Sequence, residues 1–204
     1  MPPAQVQTQR LRFYQRQRRF IFFFGGALLL ATIATAWRRL TPREFDAGLG
    51  VLAAVLAYLF SHQLLHRHAA RRVPKEVCVA VLFMAGGVLF ALVARPAAWP
   101  LLAAPVALFG LLCFANCLLI STWEIAVDVG HGSDSLALED DGARAYGRWL
   151  PWIAGLLGGT LAAVRPDPAG RTAGLCVLAG GALLGIVNLA QPRLGRRPAR
   201  VLAD

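Results

Sequence analysis

Six long intervals without a single charged residue constrain the fold of this chain more than any other feature. They are 16 to 28 residues long and together make up more than half of the 204 residues. A helix needs about 20 mostly apolar residues to cross the hydrocarbon core of a bilayer, and segments in lipid must be helical because their backbone groups need internal partners. The sequence therefore predicts an all-α fold, a polytopic membrane helix bundle with about six transmembrane helices. The intervals are 20–37, 47–66, 77–94, 96–123, 149–164 and 172–192.

Composition excludes the soluble alternative, in which these intervals would be buried core helices. Hydrophobic residues make up 57% of the chain and charged residues 16%, whereas soluble domains have about 45–50% and 25%. No soluble shell remains to cover six such helices. The shortest interval, 149–164, is flanked by Arg148 and Arg165, whose side chains can snorkel to the membrane surface, so we count it as a span.

The basic residues orient the bundle. Of the 21 basic residues, 15 lie in the N-terminal segment, the second and fourth connections and the C-terminal tail. By the positive-inside rule, both termini are cytoplasmic. We expect a basic cytoplasmic segment (1–19), a six-span membrane domain (20–192) and a basic cytoplasmic tail (193–204), in the cytoplasmic membrane of a bacterium. The net charge of +10 then indicates contact with a lipid bilayer and does not require nucleic acid. We favour a retained first helix over a cleaved signal peptide, because its apolar stretch is long.

The fourth connection, residues 123–149, is predicted to be cytoplasmic and contains six of the eleven acidic residues. Glu124 and Asp128 are four residues apart and would share one face of a continuing helix. We expect Gly130 and Gly132 to end that helix, so that Asp134 can fold back towards the pair. Three converging carboxylates need a cation, and hard oxygen ligands favour Mg²⁺. The alternative is an ordinary acidic loop that is solvated by water.

Two polar residues near these acids are candidate pocket residues. Asn116 lies inside the fourth interval, where a polar side chain usually faces the bundle interior. It would either bond across helices or line a pocket. His131 lies between Asp128 and Asp134 and would bind a metal, donate to a phosphate or be solvated.

The second connection is basic and contains Arg71, Arg72 and Lys75. Contact with anionic lipid headgroups is one explanation for these three residues. The other is a site for a phosphate group, for which the planar guanidinium of arginine is well suited.

Glycines recur in the apolar intervals at positions where helices are expected to touch. Small residues allow membrane helices to approach closely. This pattern predicts a packed bundle and indicates no chemistry. The paired glycines are Gly25–Gly26, Gly86–Gly87, Gly158–Gly159 and Gly180–Gly181.

The acidic and basic connections together resemble those of the UbiA-type intramembrane prenyltransferase family. The second Asp-rich motif of that family follows a span that contains Asn, as N116-CLLISTWEIAVDVGHGSDSLAL does here. The family's basic loop resembles RRVPKE at residues 71–76. The resemblance implies that Glu124, Asp128 and Asp134 hold Mg²⁺, and that Arg71, Arg72 and Lys75 bind an isoprenyl diphosphate. It also implies transfer of the prenyl group to a lipid or aromatic acceptor, with Mg²⁺ polarising the diphosphate leaving group.

The resemblance is partial. No first Asp-rich motif is present in the 204 residues, and the chain aligns with roughly helices three to eight of the family's nine, without the first two. Glu124 replaces an Asp, and the spacing from Asp128 to Asp134 is wider than usual. We therefore expect an incomplete or degenerate enzyme, with little or no activity from this chain alone. The alternative is a non-enzymatic multi-pass protein that acts as a partner subunit, scaffold or transporter component.

Overall fold

A computed structural model describes residues 9–64, 74–131 and 136–194 of the chain. Within these ranges the fold is entirely helical and contains no strand. A 3-10 turn at Pro96–Ala98 precedes the fourth helix. The helices are α1 (Gln9–Arg39), α2 (Pro42–Leu64), α3 (Lys75–Ala94), α4 (Trp99–His131), α5 (Leu136–Glu139), α6 (Asp141–Val164) and α7 (Pro168–Leu194).

Each charge-free interval falls on one of the six long helices, so the predicted helical fold is confirmed. By length and composition, five segments qualify to cross a membrane. Of the six long helices, α6 is the one that does not qualify; its charge-free part is only 16 residues long. The five segments are Arg16–Arg39, Pro42–Ser61, Lys75–Ala94, Pro96–Ile125 and Pro168–Arg193.

The fourth helix ends at His131, between the two glycines that were expected to break it. Gly130 itself is still helical. A single glycine costs a helix only about 1 kcal/mol relative to alanine, and the long apolar segment before it sustains the helix through this position. Gly132 lies outside the described residues.

Helix α4 is the centre of the fold. It packs against α3 on one side and against α6 and α7 on the other, while α2 packs against α3. Met84 of α3 lies beside Gly110 of α4, and Phe109 of α4 lies beside Gly87 of α3, so these two helices run antiparallel. Leu119 and Trp123 of α4 form a buried apolar cluster. Leu184 and Val187 of α7 pack against the edge of this cluster.

Helices α6 and α7 form the closest pair. They are antiparallel, and glycines face the backbone of the opposite helix along their length. A Cβ atom added to Gly174 would lie 2.6 Å from the backbone nitrogen of Ala162, and one added to Gly181 would lie 2.6 Å from that of Gly155. Real Cβ atoms essentially never come this close to backbone atoms. The prediction of close packing at Gly158 and Gly181 is therefore confirmed.

Helix α1 is the opposite case. Among the described residues it packs extensively against no other helix, and Trp37 meets Phe45 edge to face at its junction with α2. The side chains of Phe22 and Phe23 are 77% and 74% exposed. In the described part of the chain, a Cβ atom at Gly25 or Gly26 would meet nothing within 4 Å, so the expected contact of this glycine pair with another helix is not found among these residues.

Candidate functional site

The start of α3 meets the segment between α4 and α6 at one end of the bundle. Glu76, in the first turn of α3, accepts a hydrogen bond at Oε1 from the backbone N–H of Leu136, 60 residues later, at 3.3 Å. Leu136 is the first residue of α5, the single turn between α4 and α6. The sequence had predicted only that both connections lie on the same side of a membrane. The structure places the start of α3 directly against the connection between α4 and α6.

Helix α5 is held from its other side by α6. Arg144 donates from Nε to the carbonyl oxygen of Ala137 at 2.6 Å, and Ala137 is fully buried. Asp140 caps α6 by accepting a hydrogen bond from the N–H of Gly142 at 2.7 Å. An N-cap aspartate satisfies one of the free amide groups at a helix start. This short segment is thus fixed to α3 on one side and to α6 on the other.

The three candidate metal ligands are described to different extents. Glu124 is half-buried on α4. Asp128 belongs to the same uninterrupted helix, so its backbone is about one turn from that of Glu124, as the sequence predicted. The side chain of Asp128 and the whole of Asp134 lie outside the described part of the chain.

The candidate phosphate ligands are similarly divided. Lys75 is the first residue of α3 and is half-buried. Arg71 and Arg72 lie outside the described residues. His131 is the last residue of α4. Its side chain lies outside the described part of the chain. The structure therefore places Lys75 next to Glu76, at the same end of the bundle as Glu124 and α5.

Asn116 is directed into the helix bundle, as its position in an apolar interval predicted. Its Oδ1 atom is buried and has no hydrogen-bond partner among the described residues. The same is true of Ser121 Oγ, on the same helix, and of Glu76 Oε2. A buried polar atom without a partner costs about 1–3 kcal/mol. All three atoms lie on α3 or α4.

Glu76 and Ser121 are the site residues that sequence reasoning missed. In sequence, Glu76 follows Lys75 at the end of a charged connection, which is typical of a solvated residue. In the structure it is 2% exposed, on a helix that packs against both α2 and α4. Tyr58 of α2 and Cys117 of α4 lie within electrostatic range of it. Its position one residue before a charge-free interval was the only available signal.

Within residues 9–64, 74–131 and 136–194, no three histidine, cysteine or acidic side chains come together as a metal site. Two of the three acids in the predicted Mg²⁺ site have side chains outside this description. Glu124 and Glu76, whose side chains are described, have carboxylate oxygens of the kind that Mg²⁺ prefers. Comparisons with protein-family models, curated proteins and solved structures found no match to this chain.

Proposed function

We propose that the protein crosses the cytoplasmic membrane of a bacterium six times, with both termini in the cytoplasm. The arginine distribution supports this orientation. Support for α6 as the sixth span comes from its neighbours: Gly147 meets Leu118 of α4, and Gly155 and Gly158 meet α7. Helix α6 thus runs beside two helices that are each long and apolar enough to cross a membrane.

Labelling of single cysteines in intact cells tests this topology. In a protein without its four native cysteines, a single cysteine replaces Ser61 or Asp141 at the proposed cytoplasmic end. At the other end, a single cysteine replaces Arg39 or Asp167. We expect a membrane-impermeant maleimide to react only with the cysteines at positions 39 and 167. Reaction from outside at position 141 would contradict the six-span arrangement.

At the cytoplasmic end, the protein is proposed to bind an isoprenyl diphosphate together with Mg²⁺. The observation that supports this proposal is the bond between Glu76 and Leu136, which joins the start of α3, where the basic connection ends, to the segment between α4 and α6. The basic and acidic connections are the two segments that resemble the UbiA-type prenyltransferases. Lys75 with Arg71 and Arg72 would bind the diphosphate oxygens, and Glu124 with Asp128 and Asp134 would hold the cation. Bound Mg²⁺ would neutralise the diphosphate and favour its departure as a leaving group.

Lys75 and the helices beside it suit the two parts of an isoprenyl diphosphate. The lysine at the start of α3 presents a cation where the diphosphate would lie, and a lysine ammonium donates up to three hydrogen bonds to phosphate oxygens. The apolar surfaces of α3 and α4 below it suit an isoprenoid chain. Because the chain contains one acidic motif and not two, we propose binding without efficient transfer.

Binding of farnesyl thiodiphosphate to the purified chain in lipid nanodiscs tests the proposal. We expect saturable binding that requires Mg²⁺ and is lost in EDTA. Asp128→Ala should weaken it at least tenfold, a typical loss for a metal ligand or its supporting group. Asp46→Ala, at the other end of the bundle, is the matched control. Absence of Mg²⁺-dependent binding would overturn the proposal, and transfer to an added acceptor would overturn its second part.

A non-enzymatic partner subunit is the second candidate function. The observation that favours it is α1, whose aromatic side chains are exposed along a helix without extensive packing against the rest of the described chain. This candidate predicts stable co-purification with another membrane protein and indifference of that complex to Asp128→Ala. Loss of the complex on deleting residues 1–39, with farnesyl thiodiphosphate binding absent throughout, would favour it over the first proposal.

A further inference from the structure

Glu76 is the only charged side chain that is buried in the described part of the chain. Its carboxylate has one partnered oxygen, Oε1, and one buried oxygen, Oε2, without a partner among the described residues. Burial of a carboxylate with incomplete hydrogen bonding is costly, and an apolar residue of similar size is often at least as stable in such a place. The fold alone therefore gives no reason for a glutamate at this position.

Glu76 contacts the backbone of α5, a short segment that also packs against α4 and α6. Helix α5 is one turn long, too short to be stable by itself. Its first amide is held by Glu76 and its second carbonyl by Arg144. Removal of the Glu76 carboxylate would remove the hydrogen bond between α5 and α3 and leave α5 with its contacts to α4 and α6.

The neighbour of Glu76 in the chain is Lys75, the first residue of α3. The first turn of a helix has free amides and frays easily, unless a contact outside the helix holds it. The bond to Leu136 is such a contact. It fixes the start of α3, and Lys75 with it, relative to the connection between α4 and α6.

We propose that Glu76 is a positioning residue, which holds Lys75 and the start of α5 in the arrangement that binds the diphosphate. The proposal rests on the proposed function. Glu76 does not touch the ligand, and acts through the N–H of Leu136. A glutamine would retain an acceptor oxygen for this bond, whereas an alanine would not.

Two variants remove the bond from opposite sides. Glu76→Ala removes the acceptor, and Leu136→Pro removes the donor at the first position of a helix, where proline is well tolerated. Glu76→Gln is the conservative variant. The matched control is Glu44→Ala, because Glu44 also lies in the first turn of a helix, where its Oε2 accepts from the N–H of Thr41 at 2.8 Å, but at the start of α2.

The first measurement is amide hydrogen exchange at Leu136 in nanodiscs without ligand. We expect Glu76→Ala to accelerate this exchange by on the order of tenfold, since a hydrogen bond to a charged group is lost. Glu76→Gln should keep most of the protection, and Glu44→Ala all of it. Unchanged exchange at Leu136 in Glu76→Ala would overturn the proposal.

The second measurement is the Kd of farnesyl thiodiphosphate with Mg²⁺. We expect Glu76→Ala and Leu136→Pro each to weaken binding about tenfold, and the double variant to be no weaker than either one. Glu76→Gln should bind within about threefold of the unchanged protein. Binding that Glu76→Ala leaves intact overturns the positioning role and leaves the proposed function standing. Absence of binding by the unchanged protein overturns both.

Discussion

Helix α1 and the α6–α7 pair are built from similar apolar, glycine-containing sequences, yet they behave in opposite ways. In α6 and α7, Gly158 and Gly174 lie so close to the facing backbone that a methyl group has no room. In α1, the glycines at 25 and 26 face open space. Small residues therefore permit close approach of membrane helices, but do not bring it about without a complementary partner surface.

The comparison also separates two uses of apolar surface. The α4–α6–α7 region buries its apolar side chains among helices, as at Leu118, which is 1% exposed. In α1 the corresponding surface is left for lipid or for another protein. Lipid tails are as apolar as leucine, so an exposed apolar helix costs little in a membrane. Substitutions should therefore have large effects on stability in the first region and small effects in α1.

The largest effect is expected for Leu118→Ala. Leu118 lies between α4 and α6 beside Gly147, and its truncation leaves a cavity that costs about 2–5 kcal/mol. Leu30→Ala in α1 is the matched control, because that side chain is 69% exposed. Steric-trapping measurements of unfolding in nanodiscs give both values. Similar losses for the two variants would contradict the distinction between the regions.

A smaller loss is expected when Gly174 is replaced by alanine. The new methyl group would lie 2.6 Å from the carbonyl oxygen of Gly158, and the helices must separate to admit it. Overpacking of this kind costs about 1–3 kcal/mol. The same substitution at Gly25 should be neutral or stabilising by up to about 1 kcal/mol, since alanine favours the helix. A destabilising effect of Gly25→Ala would show that α1 has a close partner.

The effects of removing a helix cap should be small and similar at the starts of α2 and α6. Asp140 caps α6, and Thr41 forms a reciprocal capping box with Glu44 at the start of α2. Because capping is local, Asp140→Ala and Thr41→Ala should each cost about 1 kcal/mol. Thermal unfolding of the two variants measures this. A much larger loss at Asp140 would mean that its cap also supports the packing of α5.

The six helices were predictable because charge-free intervals of membrane length permit little else. By contrast, membrane helices are apolar on all sides, so the sequence does not show which face has a partner. The exposure of α1 could not be predicted for this reason.

The candidate site was predictable only in part. The sequence indicated that the second and fourth connections lie on the same side of the membrane. It also identified Lys75 and Glu124, one in each connection, as candidate site residues. It did not indicate that Glu76 is buried, since that depends on a contact with Leu136 60 residues away. Local patterns give no information about contacts at such a separation.

The most direct test of the account replaces the arginine pair at one end of the bundle and compares it with the pair at the other. Arg71→Ala/Arg72→Ala and Arg38→Ala/Arg39→Ala remove the same charge from opposite ends. Mg²⁺-dependent binding of farnesyl thiodiphosphate to each variant in nanodiscs is the measurement. We expect the first pair to weaken binding at least tenfold, as for the loss of charge-assisted hydrogen bonds to phosphate, and the second to leave it unchanged. Equal weakening by both pairs, or no binding before substitution, would contradict a diphosphate site at the end where α3 begins.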